Sequence, residues 1–162
     1  MSNTITKSKV IKRNGFSFIG SSIRTSNEVE MKRKGSIPQL WESFYENKVL
    51  DSITNKKDST IVALYTNYES DETGIYTYAI GTEITDSEKT SEGLESFEIA
   101  DDNYIVFTTR KGSIPEVVIE AWQEIWDWSE DRERAFKTDF EVYGEKAKDP
   151  QNSQVDIYIS VK

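Results

Sequence analysis

A six-residue string, Arg-Lys-Gly-Ser-Ile-Pro, occurs twice in this chain, at Arg33–Pro38 and again at Arg110–Pro115. The second copy begins 77 residues after the first, close to half of the 162-residue length. Each copy leads into a segment with helical periodicity and a tryptophan. A repeat of this length, containing both Gly and Pro, points to internal duplication, with two similar halves packed about a pseudo-two-fold axis. The seam between such halves is a natural place for a pocket.

The apolar pattern supports the same element order in each half. Phe16–Thr25 reads as a strand, followed by a polar link over 26–34. Ser36 with Gln39 makes a capping-box pattern, and Pro38 falls in the first turn. Ile37, Leu40, Trp41, Phe44 and Tyr45 then share one helical face, with the helix expected to end near Val49. Thr60–Tyr68 and Ile75–Ile84 read as strands, the second carrying Tyr76, Tyr78 and Ile80 on one side. The polar stretch Thr85–Glu95 reads as a linker. In the second half Asn103–Thr109 is a strand, and Ser113 with Glu116 repeats the capping pattern. Val118, Ala121, Trp122 and Ile125 mark a buried helix face that Trp126 and Trp128 widen or close. Glu130–Arg134 reads as a solvated helix end, and Lys137–Tyr143 and Val155–Val161 as the last strands.

The expected fold is α+β, a single domain over 1–162. Two strand-helix-strand-strand units, about 14–84 and about 96–162, are joined by a linker at about 85–95. They are expected to form a pseudo-two-fold antiparallel sheet with two main helices and a ligand cleft between the halves. The sequence leaves open whether the basic N-terminal residues are ordered, with a frayed start as the default.

The residues that are missing narrow the chemistry. There is no Cys, which excludes disulfides, thiolate metal sites and a Cys nucleophile. There is no His, which removes the usual general base, the Ser-His-Asp triad and the commonest metal ligand. Catalysis, if any, falls to carboxylates, tyrosines and lysines, and no metal or cofactor is expected. The net charge of −9 is the opposite of a nucleic-acid footprint, so direct nucleic-acid binding is not expected. No apolar run approaches the length of a membrane span, and residues 1–13 lack the apolar stretch of a secretory signal. A cytoplasmic protein is the expectation.

Two features carry candidate chemistry. In Lys137–Tyr143, read as a strand, Phe140 and Val142 face one way and Asp139, Glu141 and Tyr143 the other. That acidic face is either a solvated surface or a carboxylate set in an aromatic pocket, the arrangement that attracts organic cations. Second, Tyr65, Tyr68, Tyr76 and Tyr78 crowd one hairpin. Buried phenols need partners, so this crowd is either a pocket wall or an exposed Tyr-rich face. The two Lys-Gly-Ser-Ile-Pro copies lack the spacing of a phosphate loop.

Ile37-Pro38-Gln39-Leu40-Trp41 with Phe44, Leu64 to Ser70, and Gly74 to Tyr78 with Gly81 carry a resemblance in the first half. Tyr104 to Phe107, Trp122 to Trp126, Arg134-Ala135-Phe136, Asp139 to Tyr143 and Val155 to Ile159 continue it. Together they resemble the GyrI-like effector-binding domains, most closely the stand-alone, integron-cassette-associated effector-binding proteins. The resemblance covers about Phe16 to Lys162. It implies two strand-helix-strand-strand units facing across a cleft that binds small molecules, often lipophilic cations. It places a cleft glutamate at Glu141, and more loosely aromatic walls at Trp41, Tyr65, Tyr76, Tyr78, Trp122 and Tyr143. Larger relatives carry a DNA-reading domain ahead of this one, for which this sequence leaves no room. The leading expectation is thus a small-molecule binding module. The alternatives are a modulator acting on a regulatory protein partner, or a hydrolase of strained rings with Glu141 as general base.

Overall fold

The structure is a computed structural model and describes residues 5–31, 37–53, 55–58, 60–69, 74–85, 94–129, 134–135, 137–149 and 151–161. In the first half, β3 (Phe16–Ser26) leads through a short α1 (Asn27–Met31) to α2 (Ile37–Glu46) and α3 (Val49–Ser52). The strands β4 (Ile61–Thr66) and β5 (Ile75–Ile84) follow. In the second half, β7 (Asp102–Thr108) leads to α4 (Ile114–Ser129), then β8 (Thr138–Tyr143) and β9 (Asp156–Ser160). Before and between them lie β1 (Thr6–Lys7), β2 (Ile11–Arg13) and β6 (Glu95–Ile99).

Among the described residues, nine strands form one antiparallel sheet in the order β1-β7-β9-β8-β4-β5-β3-β6, with β2 also on β7. The order β7-β9-β8 on one side mirrors β3-β5-β4 on the other. The two halves join at the β8–β4 pair, where Ala63 faces Glu141 and Tyr65 faces Asp139. This is the expected α+β architecture with its duplicated strand order.

One face of the sheet carries the helices. Phe44 of α2 packs with Ala63, Tyr76, Tyr78 and Ile80, and Ala121, Trp122 and Ile125 of α4 pack with Phe107, Ile157 and Ile159. The other face closes on itself. Phe18, Val62, Leu64, Ala79, Tyr104 and Phe140 form its core. The sheet coils far enough to bring Phe16 of β3 within 5.3 Å of Phe140 of β8, ring to ring, although two strands lie between them. A glycine pair helps: a Cβ on Gly81 would sit 1.8 Å from the Ile19 carbonyl oxygen, so only glycine permits this approach of β3 and β5. Arg13 lies over the rings of Phe16, Phe140 and Tyr158 at 4.5, 5.2 and 5.7 Å.

Several expectations need correction. From Thr6 onward the residues before Phe16 include paired ones rather than only frayed chain: Thr6 and Lys7 pair with Thr108 and Phe107, and Ile11–Arg13 with Tyr104–Asp102. Short polar strands read poorly from sequence because the partner strand supplies their hydrogen bonds. The region before Asn103 holds an extra edge strand, β6, paired with β3. The first helix stops at Glu46, because Lys48 adopts φ 49° and breaks the run before α3. Tyr45 is 61% exposed and stacks on Trp41, so it does not join the buried face. Part of the polar link after β3 is helical, as α1. Arg33–Ser36, the linker residues 86–93 and the charge run 130–133 lie outside the described residues.

Candidate functional site

The two halves meet over the middle of the sheet, and α2 and α4 do not close on each other there. A cavity of about 480 Å³ remains. Its floor is Tyr65, Tyr68 and Tyr76 from β4 and its following turn and β5. One side is Asn27 and Glu30 of α1 with Ile37 and Pro38 of α2; the other is Val118, Ile119, Trp122, Gln123 and Trp126 of α4. Arg134 closes one end. The helical period explains the α4 wall, since Val118, Trp122 and Trp126 are spaced four apart and share one stripe.

Beneath this floor lies Glu141, 1% exposed. Its Oε2 accepts from Tyr65 Oη at 2.9 Å and Trp122 Nε1 at 2.6 Å, and its Oε1 accepts from Tyr143 Oη at 2.7 Å. All three donors are neutral, and among the described residues Glu141 makes no ion pair. Burial pushes its pKa up from the usual carboxylate value of 4.5, while the bonds from Tyr143, Trp122 and Tyr65 pull it back. The phenols of Tyr65, Tyr78 and Tyr143 are held well above their ordinary pKa, first by burial and then by the charge on Glu141. They remain protonated donors at any physiological pH.

The seven residues singled out in the sequence form one connected network. Trp41 Nε1 donates to Tyr78 Oη at 2.7 Å, and the Trp41 ring meets Tyr143 at 5.1 Å. Tyr65 packs on Tyr76, Tyr78 and Trp122 at 5.5, 5.0 and 4.9 Å. Only Tyr65, Tyr76 and Trp122 of the seven line the cavity. Glu141, Trp41, Tyr78 and Tyr143 stand behind them as a supporting layer. The acidic strand face is therefore not a solvated surface.

A second polar centre was not foreseen. Asp139, fully buried, accepts from Arg134 Nη2 at 2.9 Å and Tyr68 Oη at 2.5 Å on Oδ2, and from Ser160 N and Oγ at 2.7 and 3.1 Å on Oδ1. Arg134, expected in a solvated helix end, is 3% exposed and lies 5.6 Å from the Trp122 ring. Burial works against its charge, but Asp139 and Tyr68 more than offset that and hold its pKa above the ordinary value. The position of Asp139 two residues before Glu141 was a usable signal for the carboxylate. Nothing in the local sequence marked Arg134 as its partner. Trp126, Tyr68, Asn27 and Glu30 also line the cavity without having been selected as site residues. Among the described residues no group of three metal-ligating side chains is present, and no helix is long and apolar enough to cross a membrane.

The comparisons with known proteins agree with this fold. A family model described as integron-associated effector binding protein, Cass2, matches residues 9–161. YobU of Bacillus subtilis strain 168, which carries a transcriptional-regulator name, is 39% identical over 146 residues, 90% of this chain and 91% of YobU. The transcriptional regulator BrlR of Pseudomonas aeruginosa is 29% identical, and this chain spans 54% of its length. An integron cassette protein from the mobile metagenome of Vibrio cholerae superposes with a TM-score of 0.77 at 34% identity, covering 95% of both chains. SAV2435, solved bound to tetraphenylphosphonium, shares the fold with a TM-score of 0.77 at 18% identity, covering 95% of this chain and 93% of SAV2435.

Proposed function

We propose a function from one premise: this chain belongs to the Cass2 family of integron-associated effector-binding proteins. The cavity binds a lipophilic organic cation, and Glu141 is the charge that selects it. The observation that carries this reading is a buried carboxylate held by three neutral donors directly behind an aromatic cavity floor. Burial disfavours the ionised form, the three donors favour it, and among the described residues no counter-ion shares the carboxylate. In a low-dielectric setting that charge attracts a cation more strongly than it would in water. The faces of Tyr65, Tyr76, Trp122 and Trp126 add cation–π attraction of about 0.5–2 kcal/mol each. The tetraphenylphosphonium bound by SAV2435, a relative in fold, is a ligand of this class.

Tyr65 and Trp122 occupy the carboxylate as donors and also face the cavity. A cation that stops at their rings interacts with Glu141 through polarised phenol and indole, and one that displaces them meets it directly. The alternative role of Glu141 as general base has less support, because both its oxygens already accept hydrogen bonds and no cavity-lining position is its own. The regulator names of the relatives suggest that occupancy is read by a regulatory partner.

The test is a titration with tetraphenylphosphonium followed by intrinsic tryptophan fluorescence, since Trp122 and Trp126 line the cavity. Saturable quenching is expected in the wild type, with affinity at least about tenfold weaker in Glu141→Gln. A folded Glu141→Gln variant with wild-type affinity removes Glu141 from the function.

A further inference from the structure

The carboxylate of Glu141 lies close behind the cavity, yet its acceptor positions are already taken. Oε2 accepts from Tyr65 Oη at 2.9 Å and Trp122 Nε1 at 2.6 Å, and Oε1 accepts from Tyr143 Oη at 2.7 Å. Tyr65 and Trp122 are also the two donors that line the cavity. The side chains that hold the carboxylate therefore stand between it and a ligand. Their ring centroids are 4.9 Å apart, a spacing of rings in contact, so no group passes between them without moving one.

The neighbouring polar groups point the same way. Tyr68 Oη donates to the fully buried Asp139, and Tyr76 Oη donates to Asn27 Oδ1 at 3.1 Å. The wall carboxylate of Glu30 accepts from Thr25 Oγ1 and from the Ile37 backbone N–H. A cation entering over this floor meets rings first. An N–H donor on that cation gives up its water on entry, and a donor left unmade costs more than a made bond gains. A cation without donors forfeits no hydrogen bond and keeps its attraction to the rings and to the charge behind them.

We propose that Tyr65 and Trp122 act as a screen in front of Glu141, and that the screen selects donor-free cations over protonated amines of the same skeleton. The ligand class is then quaternary ammonium and phosphonium compounds with apolar substituents. This rests on the cation-binding reading and narrows it: the charge of Glu141 acts through two side chains and is not bonded by the ligand. A protonated amine reaches the carboxylate only by displacing one of them, which exchanges one hydrogen bond to a buried carboxylate for another.

The experiment titrates the full chain with octyltrimethylammonium and with octylammonium by calorimetry at neutral pH, where each probe carries one positive charge. Wild type, Tyr65→Phe, Trp122→Phe and Glu141→Gln are compared, each checked for folding by its thermal transition. The wild type is expected to bind the quaternary probe about tenfold tighter than the amine. Tyr65→Phe and Trp122→Phe keep a ring in the wall and vacate an acceptor position on Oε2. The ratio is expected to shrink at least about threefold in one or both. Comparing ratios cancels the apolar area that the methyl groups add, because the probes are the same for every variant. Glu141→Gln weakens both probes. A wild-type ratio below about threefold overturns the inference alone, provided that binding still depends on Glu141. So does a ratio that keeps its wild-type value in both ring-keeping variants, which assigns the preference to the methyl groups. Binding of neither probe, or affinities unchanged in Glu141→Gln, overturns this inference and the cation-binding function together.

Discussion

Asp139 and Glu141 stand two residues apart on one face of β8, both withdrawn from water, and they are stabilised in opposite ways. Asp139 is answered by a guanidinium, with Tyr68 and the N–H and hydroxyl of Ser160 filling its remaining acceptor sites. Among the described residues, Glu141 is answered only by the dipoles of Tyr65, Trp122 and Tyr143. The first centre is electrically closed and needs nothing from outside the chain. The second has no counter-charge among the described residues and lies beside a cavity, where, on the proposed function, a ligand cation would complete it. Burial of a carboxylate alone thus does not mark a binding site; what separates the two is whether the protein has already supplied the counter-charge.

The largest expected effect comes from breaking the closed centre. Arg134→Leu leaves Asp139 buried without its cation, and loss of one partner of a buried pair costs about 3–5 kcal/mol. Urea unfolding of the variant reads this as a lower midpoint with an unchanged slope. The double variant Arg134→Leu with Asp139→Leu should recover much of the loss, because no charge then remains buried. A loss under about 1 kcal/mol in the single variant shows that water reaches Asp139, and the contrast with Glu141 collapses.

The open centre responds with the opposite sign. Glu141→Gln removes a buried charge that has no counter-ion, so stability at neutral pH should change by no more than about 1 kcal/mol, or rise. The pH dependence identifies the cause. The pKa of Glu141 is raised in the fold, so between the ordinary 4.5 and the raised value the folded chain binds more protons than the unfolded one. The contribution of Glu141 to stability is therefore most favourable below that window and is lost as pH rises through the folded pKa. Subtracting the stability of Glu141→Gln from that of the wild type across this range isolates it, and the difference should fall with rising pH. Cation affinity runs the other way and weakens as pH falls through the same window, because the protonated carboxyl carries no charge. A rising stability difference, or a cation affinity flat in pH, contradicts the assignment of Glu141 as the charged group.

Much of this was legible in the chain, for identifiable reasons. The duplicated Arg-Lys-Gly-Ser-Ile-Pro and the strand alternation carried the order of elements along each half, because the apolar period separates strand from helix. The alternation in Asp-Phe-Glu-Val-Tyr put Glu141 and Tyr143 on one side, and the family resemblance marked that side as a cleft. The sequence did not say which aromatic rings face the cavity and which stand behind it. That is decided by how far α2 and α4 stay apart, a tertiary spacing with no local signature. Arg134 shows the same limit. In sequence it belongs to a run of alternating charges that reads as solvated, and only its bridge to Val161 past the end of β9, the neighbour of β8, sets it against Asp139. β1, β2 and β6 were unreadable because β7 and β3 supply the ladder that defines them.

The smallest effects distinguish the two centres one hydroxyl at a time. Tyr143→Phe removes the one donor that Glu141 Oε1 has among the described residues, in a centre with no counter-ion among them, and is expected to cost about 1.5–2 kcal/mol. The remaining two donors hold the charge less well, so the Glu141 pKa rises further and cation binding should be lost at a higher pH than in the wild type. Tyr68→Phe removes one of four donors to Asp139 while Arg134 and Ser160 stay in place, and should cost about 1 kcal/mol or less. Tyr68 lines the cavity but makes no hydrogen bond to Glu141 among the described contacts, so the pH profile of cation binding should not move. Thermal unfolding and the fluorescence titration across pH, run on both variants, measure the pair. If the two substitutions shift the binding profile equally, the two carboxylates act on the cavity as one electrostatic unit, and the distinction between a closed and an open centre does not hold.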